Sequence, residues 1–185
     1  MEKKRINLKK YVLIAVLAAL ISVISPLSIK VLTIPYSLSI FIIALVSLAF
    51  PPIYSIVAVL IYIALGMLGV PVFAGFNGGI GVIAGITGGY IIGYLPFTLL
   101  LSYANYYFKD KIWLQIIMII CGLICCYATG LMWFIMQTDN TFSYAFMATV
   151  APYVLPDLIK IGIAFAIAYQ LRTRLPFLKN MYEKK

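Results

Sequence analysis

Histidine is absent from this chain of 185 residues, and acidic side chains are few: Glu2, Asp110, Asp139, Asp157 and Glu183 are the whole complement. Without histidine there is no His-ligated zinc, no Ser-His-Asp triad and no HExxH protease helix. The pattern G-x4-G-K-[ST] is missing too, so the chain does not hydrolyse ATP through a P-loop of its own. The cysteines are three, Cys121, Cys125 and Cys126, all in one apolar run and without C-x2-C spacing. They read as small apolar fillers of a helix and supply no metal site. Charged residues make up 10% of the chain, against about 25% in soluble domains.

What fills the chain instead is apolar: 64% of residues are hydrophobic and the mean hydropathy is +1.08. The fold class this implies is an all-α integral membrane protein, a single domain over 1–185. The length leaves little outside the bilayer once several spans of roughly 20 residues are subtracted. Breakers and polar stretches predict six spans, at about 11–29, 36–50, 53–68, 81–107, 112–136 and 153–171. The apolar run from Tyr11 is longer than a signal-peptide core and has no small-x-small cleavage site after it, so it reads as an uncleaved first span. Pro51 and Pro52 separate spans two and three, and Pro96 marks an expected kink in span four.

The formal net charge of +9 does not point to nucleic acid, because of where the charges fall. Twelve of the fourteen Lys and Arg residues lie in three clusters: Lys3 to Lys10, Lys109 with Lys111, and Arg172 to Lys185. Six spans put all three clusters on one side. That is the positive-inside pattern, with cytoplasmic N- and C-termini and basic residues within reach of anionic lipid. Trp113 and Trp133 fall near the two ends of span five, as aromatic belts require.

Val70 to Gly93 holds eight of the thirteen glycines. From Phe73 to Gly79 their spacing is irregular around Asn77, which predicts a loop with exposed backbone. Gly81, Gly85, Gly89 and Gly93 then fall four apart, which predicts one helix with a small-residue stripe against a neighbour. Loop and helix together read as one wall of a binding site.

Two basic residues stand outside the clusters, Lys30 and Lys160. Lys160 follows Asp157 by three residues, on the same face of an otherwise apolar helix, with Pro156 suited to that helix's first turn. Mutual neutralisation, or a Lys160 that snorkels outward, is the plain reading. The functional one is a polar cavity in which Lys160 receives an anionic group and Asp157 accepts from N–H donors. Asn77, with an amide donor and acceptor, is expected at the same depth. Such a site suits a small molecule with a carboxylate and polar N–H groups, with Tyr36, Phe73, Tyr90 and Tyr153 as apolar walls. No ionisable group lies inside spans one to five, which favours a binder energised by partner proteins over a self-sufficient secondary transporter.

Four segments carry a resemblance: TIPYSLSIF (33–41), ALGMLGVPVFAGFNGGIGVIAGITGGYIIGY (64–94), TGLMWF (129–134) and PYVLPDLIKI (152–161). In these the chain resembles the biotin-specific substrate-binding (S) components of energy-coupling-factor (ECF) vitamin transporters, the BioY family. The resemblance implies a multi-pass protein of the prokaryotic cell membrane with an outward-facing biotin pocket. It also implies a transmembrane coupling subunit and two cytoplasmic ATPases as partners, with no cofactor besides biotin as transported ligand. Position by position, it puts Asp157 and Asn77 on the ureido group and Lys160 on the valerate carboxylate, with Gly78 and Gly79 in the same loop. Ala15 and Ala19 match a small-residue docking motif for the coupling subunit. Ile86 stands where the family usually has proline, and Phe76 where it often has a small residue.

Competing readings are a self-sufficient carrier for a small organic anion, an S component for a related vitamin, and a membrane scaffold whose glycines only pack helices. The first is separated by substrate accumulation in liposomes without an ATPase, the last by tolerance of Asp157→Ala.

Overall fold

The structure is a computed structural model describing residues 8–29, 34–109, 111–175 and 178. Lys30, Thr33 and most of the terminal basic clusters lie outside the described residues. The chain forms helices α1 (Leu8–Ile24), α2 (Ser39–Ala49), α3 (Pro52–Met67), α4 (Ile80–Ala84), α5 (Gly88–Tyr107), α6 (Ile112–Thr138), α7 (Phe142–Thr149) and α8 (Ala151–Arg174). A small antiparallel hairpin, β1 (Ser28–Ile29) and β2 (Tyr36–Ser37), precedes α2, with Ser28 opposite Ser37 and Ile29 opposite Tyr36.

The α6 helix and the run Phe142–Arg174 are each long and apolar enough to cross a membrane. Large apolar side chains such as Trp113, Ile124, Met132 and Ile159 point outward, as in a bundle whose solvent is lipid. The core is organised on α2. Of its residues only Phe41 and Leu45 escape full burial, and at about 1.5 Å rise per residue it is the shortest of the long helices. Its ends are tied by side chains. Ser55 Oγ donates to Val46 O at 3.0 Å and Phe50 O at 3.3 Å, closing the α2–α3 corner over Pro51 and Pro52. The Asn105 amide of α5 donates to Leu48 O, and Arg172 of α8 donates to Asn105 Oδ1, joining three helices at one end.

Helices α5 and α6 pack through small residues. A Cβ on Gly93 would stand 2.4 Å from Thr129 Oγ1 and 3.0 Å from Cys126 Cα, and one on Gly130 would stand 2.3 Å from the Tyr90 ring. The expected stripe does not lie on one helix, however. The chain unwinds over Gly85–Thr87, so Gly81 and Gly85 belong to α4 and its cap while Gly89 and Gly93 belong to α5. The physical reason is a competitor for the helix hydrogen bond: Trp133 Nε1 donates to Gly85 O at 2.9 Å, and Gly88 N takes the same carbonyl at 3.1 Å. A Cβ on Gly81 would meet nothing within 4 Å. The stripe's packing role falls to Gly89 and Gly93.

Three further expectations shift. Helices α1 and α2 are shorter than the first two expected spans, because α1 stops before Ser25 and Pro26 and the backbone of Ser28–Ile29 pairs with that of Tyr36–Ser37. The stretch between α6 and α8 holds a helix, α7, in place of an open loop. Helix α8 begins at Ala151, so Pro152 rather than Pro156 occupies the first turn. Pro156 lies inside the helix and offers no N–H to Pro152 O. The Tyr36 hydroxyl donates to that carbonyl instead, at 3.1 Å.

Helix α1 turns Ile14, Leu17, Ala18 and Ile21 inward, which leaves Ala15 and Ala19 exposed on the opposite side.

Candidate functional site

Between the helices lies a cavity of about 500 Å³, within the range of small-molecule sites. Its lining is drawn from across the chain and includes the hairpin (Ser28, Ser37), the glycine loop (Phe73, Asn77), the α4–α5 break (Ile86, Thr87), α6 (Tyr127) and α8 (Tyr153, Asp157, Lys160). Tyr62 of α3 and Tyr90 and Tyr94 of α5 add aromatic wall. Asp157 and Lys160 are the only charged side chains among the described lining residues.

Their geometry is closed. Lys160 Nζ donates to Asp157 Oδ1 at 3.0 Å and to Ser37 O at 2.8 Å. Asp157 Oδ2 accepts from the Tyr127 hydroxyl at 2.8 Å. The pair is nearly out of solvent, with side-chain exposures of 6% for Asp157 and 19% for Lys160. Lys160 therefore turns inward and does not snorkel. Among the described residues each carboxylate oxygen has one partner and spare lone pairs, and the ammonium has one hydrogen left.

The glycine loop is shaped by its own backbone. Phe73 and Asn77 exchange N–H to O bonds at 2.9 and 3.3 Å, and the Asn77 amide donates to Ala74 O at 2.7 Å. Between them Gly75 and Phe76 have φ of 74° and 58°, the left-handed region that glycine enters freely and phenylalanine rarely. The turn drives Phe73 inward, 2% exposed and edge-on to Tyr62 with centroids 5.6 Å apart. It fits there because Gly66 has no side chain: a Cβ at that position would lie 2.1 Å from Phe73 Cζ.

Of the residues singled out by sequence, Asp157, Lys160, Asn77, Phe73, Tyr90 and Tyr153 share this cavity. Tyr36 stands behind it, stacked on Tyr153 at 4.5 Å. Tyr153 in turn donates its hydroxyl to Ile34 O. Gly78 and Gly79 lie outside the lining and serve the backbone: a Cβ on Gly78 would meet Val70 O at 2.4 Å, and Gly79 has φ 97°. Asp157 and Lys160, expected at the same depth, lie in direct contact at 3.0 Å.

Sequence reasoning missed Tyr127, Tyr62, Tyr94, Thr87 and Thr149. The usable signal was the hydroxyl itself, since a tyrosine inside an apolar membrane helix needs a partner. Tyr127 finds Asp157, and Tyr90 donates to Thr149 O at 3.1 Å. Cys121, Cys125 and Cys126 are unbonded to one another, and no group of three or more potential metal ligands occurs among the described residues.

A helical membrane protein with a solute-sized internal cavity and one charged pair inside it is the class these features define. Within that class the chain belongs to the BioY family, whose family model matches residues 1–177. It is 35% identical over 164 residues to the "Probable biotin transporter BioY" of Pyrococcus horikoshii, covering 89% of this chain and 96% of that protein. It is 33% identical to "Biotin transporter BioY2" of Lactococcus lactis subsp. cremoris, covering 83% of this chain and 86% of the relative. The fold is that of a solved structure described as the S-component for biotin from an ECF-type ABC transporter. The TM-score to it is 0.81 at 23% identity, over 94% of this chain and 95% of that one.

Proposed function

We propose that this chain binds biotin as the substrate-binding subunit of an ECF transporter, with the energy for uptake supplied by a separate module. Family membership and the names of the relatives support biotin as the cargo. The partners proposed are a transmembrane coupling subunit and two cytoplasmic ATPases, meeting the exposed Ala15–Ala19 side of α1. The topology proposed is one six-span domain over 1–185 in the prokaryotic cell membrane, with α1, α2, α3, α5, α6 and α8 as the spans. Both termini and the connection at Lys109 and Lys111 are then cytoplasmic. No cofactor or metal enters this reading.

The observation that carries it is the Asp157–Lys160 contact inside the cavity. A donor and an acceptor side by side match a group that offers a carbonyl next to an N–H. The ureido ring of biotin is such a group: its carbonyl takes the remaining Lys160 hydrogen, and an N–H donates to Asp157. A carboxylate in the same place would gain Lys160 but face Asp157, a like charge at contact distance. We therefore assign both residues to the ureido end, with Asn77 beside them in the lining, and leave the acidic tail to point away from Asp157.

Titration of the detergent-purified protein with biotin and with biotin methyl ester tests this. Biotin should bind tightly, and Lys160→Ala should weaken both ligands by the same factor. A Lys160→Ala loss confined to the free acid would return Lys160 to the carboxylate. No binding of either ligand to folded wild-type protein would overturn the function.

A further inference from the structure

The break between α4 and α5 is held from outside. Helix α4 has no fully buried residue and meets the core through the partly buried Val82 and Ile83. The joint that follows adds to this hold. Gly85 caps α4 in extended conformation, and Ile86 and Thr87 connect to α5 without helical bonding of their own N–H groups. On the far side, α6 presents Trp133. Its ring is admitted because Gly89 has no side chain: a Cβ there would lie 2.3 Å from Trp133 Cβ and 2.6 Å from Thr129 O. The indole N–H then reaches Gly85 O at 2.9 Å, the carbonyl that a continuous helix would have given to the amide of Gly89. Gly88 is equally committed, since a Cβ on it would overlap Ile83 O at 1.7 Å.

Unwound backbone inside a membrane bundle persists where it is packed on protein or lines a cavity. Here it does both. Ile86 and Thr87 face the cavity already described, as does Val82 of α4, while Trp133 itself is not part of the lining. A tryptophan whose polar atom is spent entirely on shaping a cavity wall is placed to set the fit of whatever binds there.

We propose that Trp133 is a positioning residue for the ligand cavity. Its indole N–H, through the Gly85 carbonyl, holds the unwound segment so that Ile86 and Thr87 close one wall. This rests on the biotin-binding reading above.

The test is a one-atom change. Full-length protein carrying Trp113→Phe, which removes the exposed tryptophan, is made with β-(3-benzothienyl)alanine at position 133. That side chain keeps the size of indole but has no N–H, and Trp133→Phe is made in parallel. Biotin affinity, the dissociation rate and the unliganded melting curve are measured, each with and without Thr87→Val. Loss of one hydrogen bond should weaken biotin by roughly 3–10-fold, through a faster dissociation rate, in protein that still melts cooperatively. With Thr87→Val present the further loss should be smaller, because both changes act on the same wall. Unchanged affinity in the benzothienyl protein overturns the proposal, as does an equal loss with and without Thr87, which marks a role in general stability only. Failure of the Trp133 parent itself to bind biotin would overturn the proposed function instead.

Discussion

The Tyr127 hydroxyl, on α6, donates to Asp157 Oδ2 on α8 across 2.8 Å. Asp157 thereby has one oxygen committed to a neutral donor and the other to Lys160, so its carboxylate plane is fixed before any ligand arrives. A carboxylate bonded through one oxygen alone would be free to turn. Two partners from different sides leave it a single orientation, which is what the proposed recognition of an N–H group requires.

Tyr127→Phe should therefore damage binding out of proportion to its size. It removes one oxygen and leaves Asp157 Oδ2 buried without that donor. Hydrogen bonds to charged groups are worth about 1.5–3 kcal/mol, so biotin affinity should fall by roughly 10–100-fold. Calorimetric titration of wild type and variant checks this, and equal affinities would remove Tyr127 from the site.

The Asp157–Lys160 pair makes a stability prediction independent of ligand. Lys160→Ala strands a nearly buried carboxylate, and Asp157→Ala strands an ammonium. Each should cost about 1–3 kcal/mol, below the roughly 3–5 of a fully buried pair because Lys160 keeps some exposure. The double variant should lose less than the sum of the two, since no charge is left unpaired. Thermal melts of the four unliganded proteins in detergent measure the coupling, and strict additivity would mean that the contact contributes nothing to stability.

The sequence shows these features unevenly. The Asp157–Lys160 pair was legible because i,i+3 spacing puts both on one helical face whatever the rest of the chain does. The loop at 73–79 was legible too, since glycines of irregular spacing around Asn77 offer no helical face. Gly81 to Gly93 misled for the same reason that made the pair readable: spacing of four is what a helix demands. What overrides it is Trp133, from 48 positions further on, which takes the Gly85 carbonyl. Tyr127 was hidden likewise, because its partner lies 30 residues away and nothing local marks the hydroxyl as paired. Local periodicity reports local structure, whereas these contacts are tertiary.

Glycine substitutions should sort by what a new Cβ meets. Gly89→Ala places a methyl 2.3 Å from Trp133 Cβ and 2.6 Å from a backbone carbonyl, where neither neighbour is a flexible tip. Overpacking of this kind costs about 1–3 kcal/mol. Gly162→Ala, on α8 with nothing within 4 Å, should instead be neutral or stabilise by up to about 1 kcal/mol through helix propensity. Gly66→Ala is the informative third case. Its methyl lands on the Phe73 ring, so it should weaken ligand binding as well as stability, by pushing a lining side chain into the cavity. Melting curves read beside biotin affinities test all three. A Gly66→Ala protein that binds normally would show that Phe73 can move without consequence.

Binding and coupling should also come apart on α1. Its inward residues Ile14, Leu17, Ala18 and Ile21 are buried, and none of them lines the cavity, while Ala15 and Ala19 are exposed. A large side chain on the exposed face therefore meets no part of this chain's own core. Where two membrane helices approach through small residues, the same side chain holds them apart. Ala15→Trp and Ala19→Trp should thus leave biotin affinity at the wild-type value while abolishing biotin uptake by cells that express the complete transporter. Co-purification of the proposed coupling subunit should be lost in parallel. Uptake that survives both substitutions would move the proposed docking surface to another helix. Lost biotin affinity would mean instead that this face packs against the chain itself.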